Sequence, residues 1–244
     1  TEGVVVSKIV GGKGYMLCLA CETDFVAKNS EFSATANEIL EIAVKADAVD
    51  LEALKAVSVE AGRTVADKVT EKSGQTGEKV ELVYYAKIEA PMCVTYIHTN
   101  HKLGVLVGFN KEIATAVGKD VAMQIAALNP RFWDKSQVTA DVLDEEKKIM
   151  MVQMENDPKM ASKPEAVREK IVMGKLNKFY SENCLLQQEF VKDNSMSVEQ
   201  YIASAAKAAG GKVTFKDAIR FEKGEGIEKK QENFAEEIAS MVKG

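Results

Sequence analysis

Cys18 and Cys21 stand in C-x-x-C spacing, the arrangement of thiol redox pairs and of half a structural zinc site. A zinc site of that kind needs a second close pair, and the other two of the four cysteines, Cys93 and Cys184, are isolated. Residues 15–21 also read as a strand, where residues three apart point to opposite faces. The pair is therefore expected to be buried apolar thiols. Gly11-Gly12-Lys13-Gly14 lacks the G-x-x-x-x-G-K-[ST] spacing of a phosphate loop and lies between two strand-like runs, so it reads as a hairpin turn. His98 and His101, the only two histidines, flank a turn, and no Ser or Cys has an acid-base partner at a telling spacing. Asp144, Glu145 and Glu146 read as a solvated helix face. Covalent catalysis is not supported, and neither a metal nor a cofactor is expected.

Cys21-Glu22-Thr23-Asp24-Phe25-Val26-Ala27-Lys28-Asn29 is different, because it sets an acidic residue and a large aromatic in a short link between strand and helix. Such links commonly present binding residues. From the residues alone two readings stay open: a lone aromatic beside a strand is usually buried, which favours Phe25 as core, and Asp24 could be a helix cap.

The elements that must position this link follow from periodicity. Residues 3–10 and 15–21 form a hairpin signal around the glycines. From Ser30, a plausible N-cap, Phe32, Ala36, Ile39, Leu40, Ala43 and Val44 recur at helical spacing. Further helices fit residues 51–57 and 58–72, Ser73-Gly74-Gln75-Thr76-Gly77 breaks the pattern, and a strand over 79–89 ends at Pro91. The order then restarts: strands over 92–98 and 103–109 around Thr99-Asn100-His101, a helix marked by Ile113, Val117, Val121, Ile125 and Leu128 up to Asn129-Pro130, and a returning strand over 213–222 before Gly224-Glu225-Gly226. The fold class is α+β, with two repeated subdomains, each a small antiparallel sheet with helices on one face.

Two charged, Met-rich helical segments over 139–156 and 164–181 interrupt the second repeat. Val142, Ile149 and Val152, then Val167, Ile171, Leu176 and Phe179, make a narrow apolar stripe that suits an antiparallel coiled-coil arm, with a part of the core as the other reading. The expected domains are 1–91, 92–138 with 182–226, the insertion 139–181, and a C-terminal helical module over 227–244.

The 244 residues are 46% hydrophobic and 28% charged with four prolines, a folded composition. A net charge of -5 disfavours nucleic acid held by a global positive field. No apolar run of bilayer-spanning length occurs, and residues 1–20 lack the pattern of a signal peptide, so a cytoplasmic place, or an organellar matrix, is expected.

Thr23-Asp24-Phe25-Val26 followed by Ala27-Lys28-Asn29 resembles the hallmark segment of the elongation factor Ts family. Tyr96-Ile97-His98 with Lys102-Leu103-Gly104-Val105-Leu106-Val107 resembles the start of that family's second core half. Gly174-Lys175-Leu176-Asn177-Lys178-Phe179-Tyr180 is similar to the end of its coiled-coil arm. Residues 184–193 and 219–228 follow in the family's order, and the likeness runs from Glu2-Gly3 to a C-terminal helix over 234–241.

The resemblance implies a guanine-nucleotide exchange factor for elongation factor Tu, without covalent chemistry of its own. It implies that Thr23, Asp24, Phe25 and Val26 bind the partner, with Asp24 and Phe25 entering its G domain near the magnesium and phosphate site. Leu103 and Gly104 match second-core contacts with that domain, where the branched residue is more often Ile. Gln124 falls where some members carry a contact His, and Val191 and Lys192 fall where the family touches another domain of the partner. The family occurs as one-to-one complexes and as dimers of them, so a homodimer or dimer of heterodimers is allowed. The chain is read as the core region without the N-terminal three-helix, ubiquitin-associated-like domain. The rival expectations are a non-catalytic scaffold using the arm and a thiol or metal enzyme using Cys18 and Cys21.

Overall fold

The computed structural model describes residues 1–224. In chain order the elements are β1 (Glu2–Val10), β2 (Lys13–Cys21), α1 (Asp24–Ala27), α2 (Ser30–Ala46), α3 (Leu51–Lys55), α4 (Val65–Thr76), β3 (Glu81–Glu89), β4 (Met92–Ile97), β5 (Leu103–Phe109), α5 (Thr115–Leu128), α6 (Ala140–Glu155), α7 (Pro158–Ala161), α8 (Glu165–Asn183), β6 (Glu189–Phe190), β7 (Asp193–Ser197), α9 (Val198–Ala208) and β8 (Phe215–Glu222). The expected C-terminal helix lies outside the described residues. The chain divides into two compact units, one of Thr1–Ala126 with the described residues from Val213 on, the other Ala127–Lys212.

The first unit holds two antiparallel three-stranded sheets, ordered β1-β2-β3 and β4-β5-β8. Each is a hairpin whose second strand takes the returning third, so one topology occurs twice, as the sequence order suggested. Val10 pairs with Lys13, which leaves only Gly11 and Gly12 in the turn, with Gly11 at φ 58 where a side chain would be strained. Lys13 and Gly14, expected in the turn, belong to β2.

Side-chain alternation sorts each strand of the first sheet. Val4, Val6, Tyr15, Leu17, Leu19 and Cys21 join Phe32, Ile39, Leu40 and Leu54 in a core between the sheet and its helices. Val5, Met16, Cys18 and Ile88 point the other way, into a second core with Cys93, Leu106 and Phe221 of the second sheet. Tyr84 of β3 stacks on Phe221 of β8 with centroids 4.1 Å apart. On its outer side the second sheet meets α5 so closely that a Cβ at Gly118 would lie 2.4 Å from Val94 Cγ2. The layers run helices, sheet, sheet, helix.

Capping chemistry corrects several expected boundaries. Asn29, not Ser30, caps α2, its side chain accepting from the Glu31 N–H. The helix expected from residue 58 starts at Val65, because Thr64 and Asp67 form a capping box; Ala61 and Gly62 before it hold left-handed backbone in a turn closed by a Ser58–Thr64 bridge. The same helix runs through Gly74 and stops at Gly77, φ 71.

At the end of α2, Asp47 accepts hydrogen bonds from Lys13 Nζ at 2.7 Å, the Tyr15 hydroxyl at 2.7 Å and Lys87 Nζ at 3.1 Å. These donors, Lys13 first, hold its carboxyl well below the usual carboxylate range. Burial, with the Asp47 bond second, pushes the Tyr15 hydroxyl up to about 12. A lowered folded pKa contributes stability that is complete above the unfolded value of about 3.9 and is lost as pH falls through the folded one. Asp47→Asn is therefore expected to lower the unfolding midpoint at neutral pH, with the gap from wild type closing in acid. Midpoints measured across a pH series check this, and a gap that stays constant below about pH 4 would count against it.

The second unit centres on α6 and α8, which bury Met150, Leu176, Phe179 and Cys184 together with Val138. Thr139 caps α6, and Asp157 with Pro158 at the first helical position starts α7 in the connection. The expected apolar stripe is only partly right. Leu176 and Phe179 are buried, but Ile149, Val152 and Val167 face outward and Met150 and Met154 take the inward places on α6. A two-stranded ribbon, β6 with β7, precedes α9, which opens with a Ser197–Gln200 capping box.

Candidate functional site

β2 delivers the link residues Glu22 and Thr23 at its end, and α1 follows at once. Thr23 is the N-cap, its Oγ1 accepting from the Val26 N–H at 3.4 Å. Asp24 lies in the first turn rather than serving as the cap, and Lys28 Nζ donates to its Oδ2 at 3.0 Å, which keeps the carboxyl below its ordinary range. Val26 and Ala27 pack against the helix-side core. With one turn of helix and that face turned inward, Phe25 points out: it is 85% exposed. The reading of Phe25 as core is thereby corrected.

Glu22 and Thr23 are tied to a segment 55 residues further along. The Glu78 carboxylate accepts the Glu22 N–H at 2.9 Å, the Thr23 N–H at 3.1 Å and the Thr23 hydroxyl, while the Glu22 carboxylate accepts the Lys79 N–H at 2.8 Å. No local signal marks Glu78, since its partners are remote in sequence. Beside α1 opens a cleft of about 410 Å³ lined by Asp24, Lys28, Ser33, Asn100, His101 and Lys102. It brings the tip of the β4–β5 hairpin, where Leu103 begins β5, next to Asp24. Lys102 in turn bonds Glu2 at 3.1 Å, and Glu2 also bonds Lys223.

The thiols offer no reactive pair. Cys18 lies in the sheet-to-sheet core and Cys21 in the helix-side core, and burial pushes them up to about 12 and about 11. Among the described residues no group of three His, Cys, Asp or Glu could hold a metal ion, and no helix is long and apolar enough to cross a membrane. The link thus sets a surface aromatic on a braced turn.

The family profile described as Elongation factor TS matches residues 22–225, from the residue before the Thr23 cap to just past the returning strand β8. The chain belongs to the elongation factor Ts family. It is 37% identical over 250 residues to Elongation factor Ts of Syntrophotalea carbinolica, covering 99% of this chain and 81% of that protein. Against Elongation factor Ts of Clostridium botulinum it is 38% identical, with 99% and 81% covered, and against that of Porphyromonas gingivalis 41% identical over 206 residues, with 84% and 74% covered. Membership in the elongation factor Ts family makes this a protein of translation elongation.

The remaining residues expected at an elongation factor Ts interface are not equivalent in place. Leu103 is half-buried at the start of β5, beside the cleft. Gly104 and Gln124 are buried, so the side-chain contact expected of Gln124 is corrected: it is a core amide of α5 with no exposure. Gly104 serves packing, since a Cβ there would lie 2.7 Å from Met16 Sδ, 2.8 Å from Val5 Cγ1 and 2.9 Å from Ile97 Cδ1. Gly104→Val is expected to destabilise by about 1–3 kcal/mol through overpacking. Urea unfolding measures this, and an unchanged midpoint would mean that the sheets separate freely. Val191 and Lys192 are exposed in the β6–β7 turn of the second unit, which the site in the first unit does not include.

Proposed function

We propose that this chain is a guanine-nucleotide exchange factor for elongation factor Tu and that α1 is its working element. The observation that carries the reading is a phenylalanine 85% exposed on a single helical turn that is tethered at its N-terminal side and packed beneath. A large aromatic held out on a fixed turn offers its apolar surface for a partner to bury, and such residues dominate the energy of interfaces. In this reading Phe25 wedges apart the elements of elongation factor Tu that hold GDP and its magnesium, and the Asp24 carboxylate places a negative charge beside the phosphates. Thr23, Val26 and Leu103 extend the contact in the first unit, and Val191 and Lys192 contribute from the second.

Exchange by this route needs no bond made or broken by the factor and no cofactor. Binding of the factor weakens binding of nucleotide, and by reciprocity nucleotide weakens binding of the factor by the same ratio. A coupling of about 4 kcal/mol corresponds to roughly a thousandfold change in affinity. In this reading the factor works where translation elongation runs, in the cytoplasm or an organellar matrix. The test is stopped-flow release of fluorescent GDP from elongation factor Tu: acceleration by the wild-type chain is expected, and its absence would sink the proposal.

A second reading is favoured by α6 and α8, which expose Met151, Val152 and Met173 at 55%, 55% and 61%. As an arm over residues 139–181 they would serve a non-catalytic scaffold. That reading requires binding to a partner with GDP release unchanged, so the same assay separates the two.

A further inference from the structure

We infer that Glu78 is a positioning residue that fixes the direction in which α1 presents Phe25. The inference rests on the exchange-factor reading above. A four-residue helix does not hold itself, because nucleating one turn fixes many dihedral angles for little hydrogen bonding. None of the residues of α1 is fully buried, so packing of Val26 and Ala27 sets its depth but leaves its pitch against the sheet to its entry point.

That entry point is the Glu22–Thr23 link, and Glu78 holds it with both carboxylate oxygens. Oε2 accepts two successive backbone N–H groups and Oε1 accepts the Thr23 hydroxyl. Since that hydroxyl oxygen also caps α1, the same side chain orients the cap. Lys79 returns a backbone N–H to Glu22, so two adjacent residues on each segment are bonded reciprocally. Gly77 makes the approach possible: its left-handed φ of 71 ends α4 and turns the chain, and the Glu78 N–H donates to Thr76 Oγ1 at 3.3 Å. Hydrogen bonds to an ionised acceptor are stronger than neutral ones, and the Thr23 hydroxyl in particular keeps the Glu78 carboxyl below its ordinary range. Glu78 is half-buried and belongs to neither core of this unit, so its truncation opens no cavity in either core.

Glu78→Ala is expected to lower the unfolding midpoint only slightly, to speed amide hydrogen exchange at Glu22 and Thr23 about tenfold, and to reduce acceleration of GDP release about tenfold, far more than the small loss of stability would account for. Glu78→Gln, which keeps one acceptor oxygen but turns an amide N–H₂ toward donors, should fall between the two. In a chain already carrying Phe25→Ala, Glu78→Ala should reduce release no further, because Glu78 acts only through Phe25. The experiment combines hydrogen exchange by NMR with fluorescent GDP release from elongation factor Tu for the wild type, the three single variants and the double. Unchanged exchange at Glu22 and Thr23, or additive losses in the double variant, overturns the inference. Wild-type acceleration that Glu78→Ala leaves intact overturns this inference alone, whereas a wild-type chain that accelerates nothing overturns the exchange reading and this inference with it.

Discussion

Phe25→Ala is expected to reduce acceleration of GDP release by about thirtyfold or more while leaving the unfolding midpoint where it is. Truncating an aromatic anchor at the centre of an interface typically costs 2 kcal/mol or more, about thirtyfold in an equilibrium or rate ratio. The fold should not register the change, because a side chain 85% exposed contributes little to the core and surface substitutions usually stay within about 0.5 kcal/mol. Stopped-flow release and thermal unfolding on the same preparation make the pair of measurements. Phe25→Leu, smaller and without a ring, should retain part of the activity. If Phe25→Ala kept full acceleration, the wedge would have to lie elsewhere on the molecule.

Phe32→Ala is expected to act in the opposite sense, lowering stability by about 3–5 kcal/mol. Phe32 is 1% exposed in the first turn of α2 and packs in the core shared by β1, β2 and the helices. A loss of that size is a large part of the 5–15 kcal/mol by which domains are usually stable. Val26 and Ala27 rest on the same core, so release should also weaken, but here in step with the midpoint. Urea unfolding followed by circular dichroism measures the loss. A change below about 1 kcal/mol would mean that the neighbours close over the gap.

The two substitutions separate presentation from support. Of two residues seven apart in the chain, one faces out from α1 and, under the proposed function, makes the contact, while the other faces in from α2 and holds the scaffold. Glu78 joins them from a third segment.

Much of this architecture was legible in the amino-acid order. Alternation in residues 3–10 and 15–21, the paired glycines, and the recurrence of apolar residues from Phe32 to Val44 are signals contained within single elements, and the structure follows them. So is the repeated order of hairpin, helix and returning strand, because each strand's length and flanking turns are local properties. The link at Thr23 to Asn29 stood out for the same reason, since composition marks a place where strand chemistry stops and helix chemistry begins.

Burial of particular side chains was decided by partners from remote segments. Cys18 and Cys21 could be sent to opposite faces by counting, but that one face would meet a second sheet followed only from the stacking of Tyr84 on Phe221 and the packing of Leu106 against Met16 and Ile88. The outward turn of Phe25 depends on Val26 and Ala27 finding the helix-side core first, the loss of Gln124 to the interior depends on α5 lying on β4, and the Met150 and Met154 places on α6 depend on the face that α8 offers. A period assigns residues to faces; only the assembled layers decide which face is covered. The physical reason is that local structure comes from backbone sterics and caps within a few residues, whereas exposure is a property of whatever the rest of the chain brings against that surface.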